Sequence, residues 1–208
     1  MKLQISFDTT DLEKTIATAH KLTPYADIFE VGTLLIYLHG ITALERFRKE
    51  FSNTTILADT KIVDRGKTIV KHIASTNVDW LTVMAGTSKN VVHAATRQAH
   101  NKGIKVMLDL LDANSLGQSA LEAKNLGADA LLFHQPYEQE EASDTFFDSW
   151  EMIRGNTQLP IFVSGRIDRD TVHEIIKLNP DGIVVGNTIT EADDPAAQAD
   201  YFHSLLTQ

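Results

Sequence analysis

The stretch that decides the fold is Ile56-Leu57-Ala58-Asp59-Thr60-Lys61-Ile62-Val63-Asp64. It begins as a short apolar run and ends with charges spaced D-x-K-x-x-D. Charged groups are costly to bury unless they are paired or bind an ion, so we expect the apolar part to be core and the charges to lie where a strand leaves it. Taken alone, the spacing favours a solvated acidic turn before a helix. Other strand ends in the chain repeat the pattern, and this favours a functional cluster.

The composition limits the class of protein. The chain has 208 residues, 43% of them hydrophobic, which is enough for a sizeable core. A net charge of −9 argues against nucleic acid and anionic membranes as partners. The absence of cysteine excludes disulfides and thiolate metal sites. The first residues lack the long apolar region of a signal peptide, and no apolar run is long enough to span a membrane, so we expect a cytoplasmic protein.

Apolar runs alternate with amphipathic segments along the whole chain. We predict strands at residues 3–7, 28–32, 56–59, 80–84, 105–109, 130–134, 160–164 and 182–186. Helical patterns follow them; Thr10-Asp11-Leu12-Glu13 has the spacing of a capping box, and another helix should run from residue 115 to about 126. Eight strand–helix units predict a closed (β/α)8 TIM barrel, a single domain over residues 1–208. An open doubly wound sheet is the alternative, although no G-x-G-x-x-G follows the first strand.

In such a barrel the C-terminal ends of the strands meet at one mouth, where catalysis takes place. The predicted strand ends supply Asp8, Glu30, Asp59 with Lys61, Asp109, His134, Ser164-Gly165 and Gly186-Asn187. Carboxylates that lie close together cannot all stay ionised unless a cation relieves them. Lys61 is one such cation, and a divalent metal held by oxygen atoms is another. The absence of cysteine and the excess of carboxylates favour Mg²⁺ over zinc.

Several of these side chains also have a purely structural explanation. Asp8 could cap the first helix, and Asp109 could bond only to loop backbone, so we rank Asp109 last among the acids. Glu30 lies inside an apolar run, where solvation is difficult, and we favour a functional role for it. His134 could be a satisfied core histidine. It is the one histidine of eight at a predicted strand end, so we expect it to transfer protons.

The last two strands end in small, glycine-containing turns, Ser164-Gly165-Arg166 and Gly186-Asn187-Thr188. Both should lead into helices, whose exposed N–H groups bind phosphate, and barrels commonly place a phosphate site after the seventh and eighth strands. The alternative is that the glycines only permit tight turns. Two such turns in the expected pair of loops favour phosphate binding.

Together these motifs closely resemble those of the orotidine 5'-monophosphate decarboxylase suprafamily. The resemblance is carried by Asp8, Glu30, Asp59, Lys61, Asp64, His134, Val184-Val185-Gly186, Ile189-Thr190 and Asp194-Pro195-Ala196. Within the suprafamily, the chain is most similar to the family of 3-hexulose-6-phosphate synthase and 3-keto-L-gulonate-6-phosphate decarboxylase. The similarity covers essentially the whole chain.

The resemblance implies a homodimer of barrels with active sites at the interface. It implies Mg²⁺ held by Glu30 and Asp59, substrate contacts from Asp8 and Lys61, and an Asp64 that reaches into the neighbouring subunit's site. His134 would carry the proton. The implied intermediate is a Mg²⁺-bound 1,2-enediolate of a pentulose phosphate. The synthase forms it by removing a proton from ribulose 5-phosphate and then adds formaldehyde, whereas the decarboxylase forms it by losing CO₂.

Three departures from the family pattern bear on the substrate. Decarboxylase-type members carry an arginine three residues after the histidine, and this chain has Tyr137 there, which favours the synthase. The turn after the seventh strand usually has two glycines and here is Gly165-Arg166, while Gln135-Pro136-Tyr137 replaces the small-residue loop of the synthase.

We therefore predict a Mg²⁺-dependent aldehyde-lyase that joins formaldehyde to D-ribulose 5-phosphate. The decarboxylase is one alternative, and a non-catalytic sugar-phosphate binding module is a second.

Overall fold

The strands close into a barrel. In the computed structural model, which describes residues 1–136 and 145–207, eight parallel strands pair in sequence order and the eighth also pairs with the first. Helices follow the strands and cover the outside of the barrel. The predicted (β/α)8 TIM barrel is therefore confirmed, and the open doubly wound sheet is excluded.

The element bounds follow the predicted alternation. The strands are β1 (Lys2–Phe7), β2 (Ile28–Val31), β3 (Thr55–Ile62), β4 (Trp80–Met84), β5 (Lys105–Asp109), β6 (Ala130–His134), β7 (Ile161–Ser164) and β8 (Gly182–Val185). The helices are α1 (Leu12–Leu22), α2 (Thr33–His39), α3 (Ile41–Glu50), α4 (Gly66–Ile73), α5 (Lys89–His100), α6 (Leu116–Ala123), α7 (Thr145–Arg154), α8 (Val172–Lys177), α9 (Asn187–Thr190) and α10 (Pro195–Leu206). Across the two described ranges, none of these helices combines the length and apolar character needed to cross a bilayer.

Three local predictions were wrong. Helix α1 is capped by Asp11 rather than by Thr10, because the Asp11 carboxylate accepts the N–H of Lys14. Helix α6 ends at Ala123, whose carbonyl accepts the N–H of Ala128 and so stops the helical pattern. Strand β3 continues past Asp59 to Ile62, so it includes Lys61 and ends before Asp64, and helices α2 and α9 were not predicted.

Side chains on the inner face of the barrel form two layers. The lower layer is an apolar cluster of Ile28, Leu57, Met107, Ala130, Leu132, Phe162 and Val184. Residues i and i+2 of a strand point to the same face, so the next inner positions lie one step nearer the C-terminal mouth. These positions are polar: Ser6, Glu30, Asp59, Thr82, Asp109, His134 and Ser164. The apolar layer closes the floor of the barrel, and the polar layer faces the mouth.

Four aspartates at the N-terminal end of the barrel repeat one arrangement. Each precedes an even-numbered strand, and its carboxylate accepts a backbone N–H at the start of the strand before it, at 2.7–2.9 Å. The aspartate N–H in turn donates to the carbonyl of that same residue at 2.9 Å. These four reciprocal pairs, here called the aspartate latches, are Asp27–Leu3, Asp79–Ile56, Asp129–Val106 and Asp181–Ile161. Arg48, His100 and Arg154 pair with the last three aspartates. Since catalysis in such barrels takes place at the opposite face, the latches are stability features.

Candidate active site

An irregularity in β3 brings Asp59 and Lys61 together at the mouth. The pairing register between β3 and β4 shifts between Ala58 and Ile62, so β3 carries extra residues there. Lys61 has φ of 41°, in the left-handed region that residues other than glycine rarely adopt. This backbone places the Lys61 Nζ 3.0 Å from Oδ2 of Asp59. The D-x-K part of the motif therefore forms one ion pair at the edge of the core.

Lys61 also pairs with a second carboxylate. Its Nζ lies 3.1 Å from Oδ2 of Asp109, while 24% of its side chain remains exposed. Burial alone would lower the pKa of Lys61, but the negative charges of Asp59, Asp109 and Glu30 outweigh burial and raise the pKa above its ordinary value. The side chain therefore stays a charged ammonium throughout the neutral range.

Asp109 links this ammonium to His134. The Asp109 side chain is fully buried, and its Oδ2 lies 3.1 Å from Nδ1 of His134. Burial would raise the pKa of Asp109, but the hydrogen bond and positive charge of His134, followed by Lys61 and the N–H of Leu111, lower it below its ordinary value. An ionised carboxylate only accepts hydrogen bonds, so Nδ1 of the neutral imidazole must carry the proton and Nε2 is the basic nitrogen.

Glu30 is held on the other side of Asp59. It is 7% exposed, and it accepts hydrogen bonds from Nε2 of Gln4 and, at 2.8 Å, from Oγ of Ser6. Burial, followed by the negative charge of Asp59, raises the pKa of Glu30 to about 7, although Lys61, Gln4 and Ser6 act in the opposite direction. The negative charges of Glu30 and Asp59 therefore lie close together, and the ammonium of Lys61 offsets their repulsion only in part.

The donor set is suited to a hard cation. Glu30 and Asp59 offer carboxylate oxygens towards the C-terminal ends of two adjacent strands. The negative charge of Asp59 raises the pKa of Glu30, which shows that the two carboxylates repel each other, and a bound cation would relieve this repulsion. Across residues 1–136 and 145–207, no three His, Asp or Glu side chains are grouped as a complete metal cage. Mg²⁺ commonly takes only one or two protein carboxylates and fills its shell with water and substrate oxygens. The residues therefore fit Mg²⁺, which stays a prediction.

Asp8 does not cap α1. Its Oδ1 accepts the N–H of Leu34 at 2.8 Å, in the first turn of α2, while Asp11 caps α1. Gly32 permits this approach, because a Cβ there would lie 2.7 Å from the Asp8 carboxylate. Asp8 is thus fixed on the rim between β1 and α2, with its side chain exposed.

The two glycine-containing turns lie side by side. Thr188 donates from Oγ1 to the carbonyl of Ile167 at 2.8 Å and so joins the loop after β7 to the start of α9. Gly165 has φ of 131°, and a Cβ there would lie 2.6 Å from the side chain of Gln135, so the position requires glycine. The turn after β7 is therefore packed closely against the residue that follows β6.

Only one of the two turns leads directly into a helix. Gly186 is the N-cap of α9, whose first turn supplies the N–H groups of Asn187 and Thr188. The turn at Ser164 was wrongly predicted to do the same, since α8 begins only at Val172. Phosphate binding by Ser164, Gly165, Arg166, Gly186 and Asn187 stays a prediction.

Asp64 is separate from the cluster. Its side chain is exposed and its Oδ1 accepts the N–H of Arg65 at 2.7 Å. The structure therefore gathers Glu30, Asp59, Lys61 and His134 but leaves Asp64 on the surface of this chain. Tyr137, which bears on the choice between synthase and decarboxylase, lies outside the described residues.

Sequence reasoning ranked Asp109 last among the acids and did not consider Thr82, and both belong to the polar layer. Asp109 does bond to loop backbone, through Leu111, but it is also the carboxylate that joins Lys61 to His134. Thr82 is buried and bonds to Asp59. Each lies two residues after an inward-facing residue of the same strand, Met107 and Trp80 respectively, but the sequence hides this spacing because strands buried on both faces are apolar throughout.

Comparison with known proteins gives one consistent result. The sequence model described as "Orotidine 5'-phosphate decarboxylase / HUMPS family" matches residues 1–202. The 3-hexulose-6-phosphate synthase of Staphylococcus aureus (strain MSSA476) is 30% identical over 200 residues, which cover 96% of this chain and 95% of that protein. The solved 3-hexulose-6-phosphate synthase from Salmonella typhimurium superposes with a TM-score of 0.93 at 29% identity, over 100% of this chain and 99% of that one. A solved structure of KGPDC from Streptococcus mutans has a TM-score of 0.91 at 23% identity over 99% and 97% of the two chains, and shares the fold.

Proposed function

Because the chain belongs to the orotidine 5'-phosphate decarboxylase / HUMPS family, we propose that it is an enzyme of the 3-hexulose-6-phosphate synthase type. The proposed reaction joins formaldehyde to D-ribulose 5-phosphate and gives 3-hexulose 6-phosphate. Curated synthases at 29–30% identity align over nearly the whole chain and support this assignment. The observation that carries it is the series of contacts from Asp59 through Lys61 and Asp109 to His134. These contacts join a charge-stabilising ammonium to a proton-transfer group.

The proposed chemistry uses both ends of this series. Nε2 of His134 takes a proton from C1 of ribulose 5-phosphate, and the electron pair of the broken C–H bond forms a 1,2-enediolate. The Lys61 ammonium stabilises the negative charge that develops on the substrate oxygen. C1 then attacks the carbonyl carbon of formaldehyde, and the aldehyde oxygen takes up the proton that His134 holds. Asp109 keeps the imidazole in the required tautomer throughout.

Glu30 and Asp59 are the proposed Mg²⁺ ligands. When bound, the ion would supply further stabilisation of negative charge on the substrate oxygens. Ser6 and Gln4 hold Glu30 and Thr33 holds Asp59, so both carboxylates are oriented before anything binds. Removing Asp59 should therefore remove metal-dependent turnover, and full activity of Asp59→Ala without Mg²⁺ would overturn the assignment.

We assign the remaining substrate contacts to the rim. Asp8 is proposed to contact the sugar hydroxyls, since its carboxylate lies on the rim directly after β1. The phosphate is assigned to the joined turns at Ser164-Gly165-Arg166 and Gly186-Asn187. There α9 contributes the N–H groups of its first turn, and Arg166 contributes a positive charge.

We also propose that the enzyme is a homodimer. Helix α2 packs against β3 beside the site, and it exposes apolar side chains: Tyr37 is 77% exposed and Leu38 is 59% exposed. Val63, next to Asp64, is 58% exposed. Several exposed apolar side chains on one side of the barrel are typical of a protein–protein interface. A second copy covering it would bring Asp64 towards the partner's site.

Mixed dimers test this arrangement. Asp64→Ala and Lys61→Ala proteins should each be nearly inactive, and their mixture should regain activity because one site of each heterodimer is intact. A monomer in solution, or a mixture no more active than its components, would contradict the shared site.

A paired assay with Mg²⁺ tests the function itself. One arm follows the consumption of formaldehyde with D-ribulose 5-phosphate, and the other follows CO₂ release from 3-keto-L-gulonate 6-phosphate. Turnover in the first arm is expected. Turnover only in the second would establish the decarboxylase instead, and tight binding of the pentulose phosphate without proton exchange at C1 would indicate a binding module.

A further inference from the structure

Thr82 occupies the inner position of β4 in the polar layer. It is 1% exposed and lies between the segment 59–61 of β3 and the rest of the barrel. A buried hydroxyl is costly unless it is hydrogen-bonded. The hydrogen bonds of the Thr82 hydroxyl therefore indicate the role of this residue.

The Thr82 hydroxyl bonds to both functional residues of β3 at once. It lies 2.7 Å from Oδ1 of Asp59 and 2.9 Å from the backbone nitrogen of Lys61. The Lys61 N–H can only donate, so the hydroxyl accepts from it and gives its own proton to Asp59. The Thr82 carbonyl also accepts a bond from Oγ1 of Thr60 at 2.8 Å. One residue of β4 thus anchors three consecutive residues of the irregular β3 segment.

The anchored segment is strained. A residue other than glycine in the left-handed region costs roughly 1–2 kcal/mol, and Lys61 adopts it at φ of 41°. The strain persists only if neighbouring contacts fix the backbone. The Thr82 hydroxyl supplies one such contact at the strained residue itself.

We propose that Thr82 is a positioning residue that fixes the Lys61 ammonium and the Asp59 carboxylate relative to one another. It touches no substrate; it acts through the two residues that it bonds. The expected change in kcat rests on the proposed function. The geometric claim, that Thr82 fixes the position of Lys61 relative to Asp59, does not. Thr33 differs from it, because Thr33 bonds to Asp59 alone, at 2.6 Å to Oδ2 and 3.1 Å to the carbonyl.

The test compares variants that keep or remove the hydroxyl. Thr82→Val removes it at constant shape and Thr82→Ser keeps it. Thr96→Val, in α5, is the matched control, because Thr96 is equally buried and its hydroxyl bonds to the carbonyl of Leu126, away from the site. We expect Thr82→Val to lower kcat about 10- to 100-fold and to weaken Mg²⁺ binding, measured by calorimetry, by a similar factor. KM for ribulose 5-phosphate should change little, Thr82→Ser should restore kcat, and Thr96→Val should leave both quantities unchanged.

Wild-type kcat and Mg²⁺ affinity in Thr82→Val, or loss of both that Thr82→Ser does not restore, would overturn the inference. If Thr82→Val does not fold, Thr82→Ala carries the same expectation. A wild-type protein inactive in both arms of the paired assay would instead overturn the proposed function. In that case crystal structures of the wild type and Thr82→Val decide the geometric claim. The Lys61–Asp59 contact should be lost in the variant, and its retention would refute the inference.

Discussion

Replacing Glu30 with glutamine should make the metal-free protein more stable at alkaline pH. Glu30 is buried, and its pKa is raised from 4.5 to about 7, so the folded protein binds this proton more tightly than the unfolded chain does. The resulting stability is fully present below pH 4.5 and is lost as the pH rises through 7. Glutamine does not titrate and avoids this loss. Its amide oxygen can still accept the hydrogen bond from Nε2 of Gln4.

The size of the stability difference between wild type and Glu30→Gln follows from the pKa shift of Glu30. Each unit of pKa corresponds to about 1.4 kcal/mol, so wild type should be about 3 kcal/mol less stable than Glu30→Gln at pH 8 and within about 1 kcal/mol of it at pH 5. For a chain of this length, the difference at pH 8 corresponds to roughly 6–12 °C in Tm. Thermal and urea denaturation in EDTA measure it. Glu45→Gln, on an exposed position of α3, is the control for removal of a carboxylate from the surface.

Parallel pH profiles for Glu30→Gln and wild type would refute the reasoning, as would a variant that is less stable than wild type at pH 8. Added Mg²⁺ should reverse the order. The proposed ligand is lost in the variant, so only wild type should gain substantial stability from the ion. A variant stabilised by Mg²⁺ as much as wild type would show that Glu30 is not a ligand.

Three further outcomes are expected. Lys61→Ala should lower kcat at least 10²-fold or so, because the charge that stabilises the reacting oxygen is lost, and steady-state kinetics that stay within tenfold of wild type would contradict its role. Asp109→Asn should lower kcat by roughly 10²-fold in protein that circular dichroism shows to be folded at the assay temperature, because His134 loses the carboxylate that fixes its tautomer; an unchanged kcat would restrict Asp109 to structure. Asp79→Ala should lower the free energy of unfolding by about 1–2 kcal/mol in urea and leave kcat unchanged, because its bond to the N–H of Ile56 lies at the opposite end of the barrel, and a loss of turnover without a loss of stability would contradict this.

The fold could be predicted because the alternation of apolar runs and amphipathic segments is a local property of the chain. The start of α6 beside Ser115 could be predicted for the same reason. The path of β3 could not. Its two charged residues, Asp59 and Lys61, look like an exit from the core, whereas the strand goes on pairing with β4, where Thr82 from another part of the chain bonds to both of them.

The site was predicted in part for a related reason. Glu30, Asp59, Lys61 and His134 stand out as charged or titratable groups at strand ends, and the structure gathers them. Asp109 also lies at a strand end, but the sequence does not say which face of a strand lines the barrel. Strands buried on both faces are apolar throughout, so the period of two that marks the inner face is hidden.

The aspartate latches divide the barrel into four modules. Each latch joins an odd-numbered strand to the even-numbered strand that follows it. The four modules are therefore the strand pairs β1–β2, β3–β4, β5–β6 and β7–β8. A chain break between β4 and β5 would leave both partners of every latch on the same fragment, whereas a break between β3 and β4 would part Asp79 from Ile56. The boundaries after β2, β4 and β6 are therefore the natural points at which such a barrel can be split, shuffled or rebuilt from duplicated quarters.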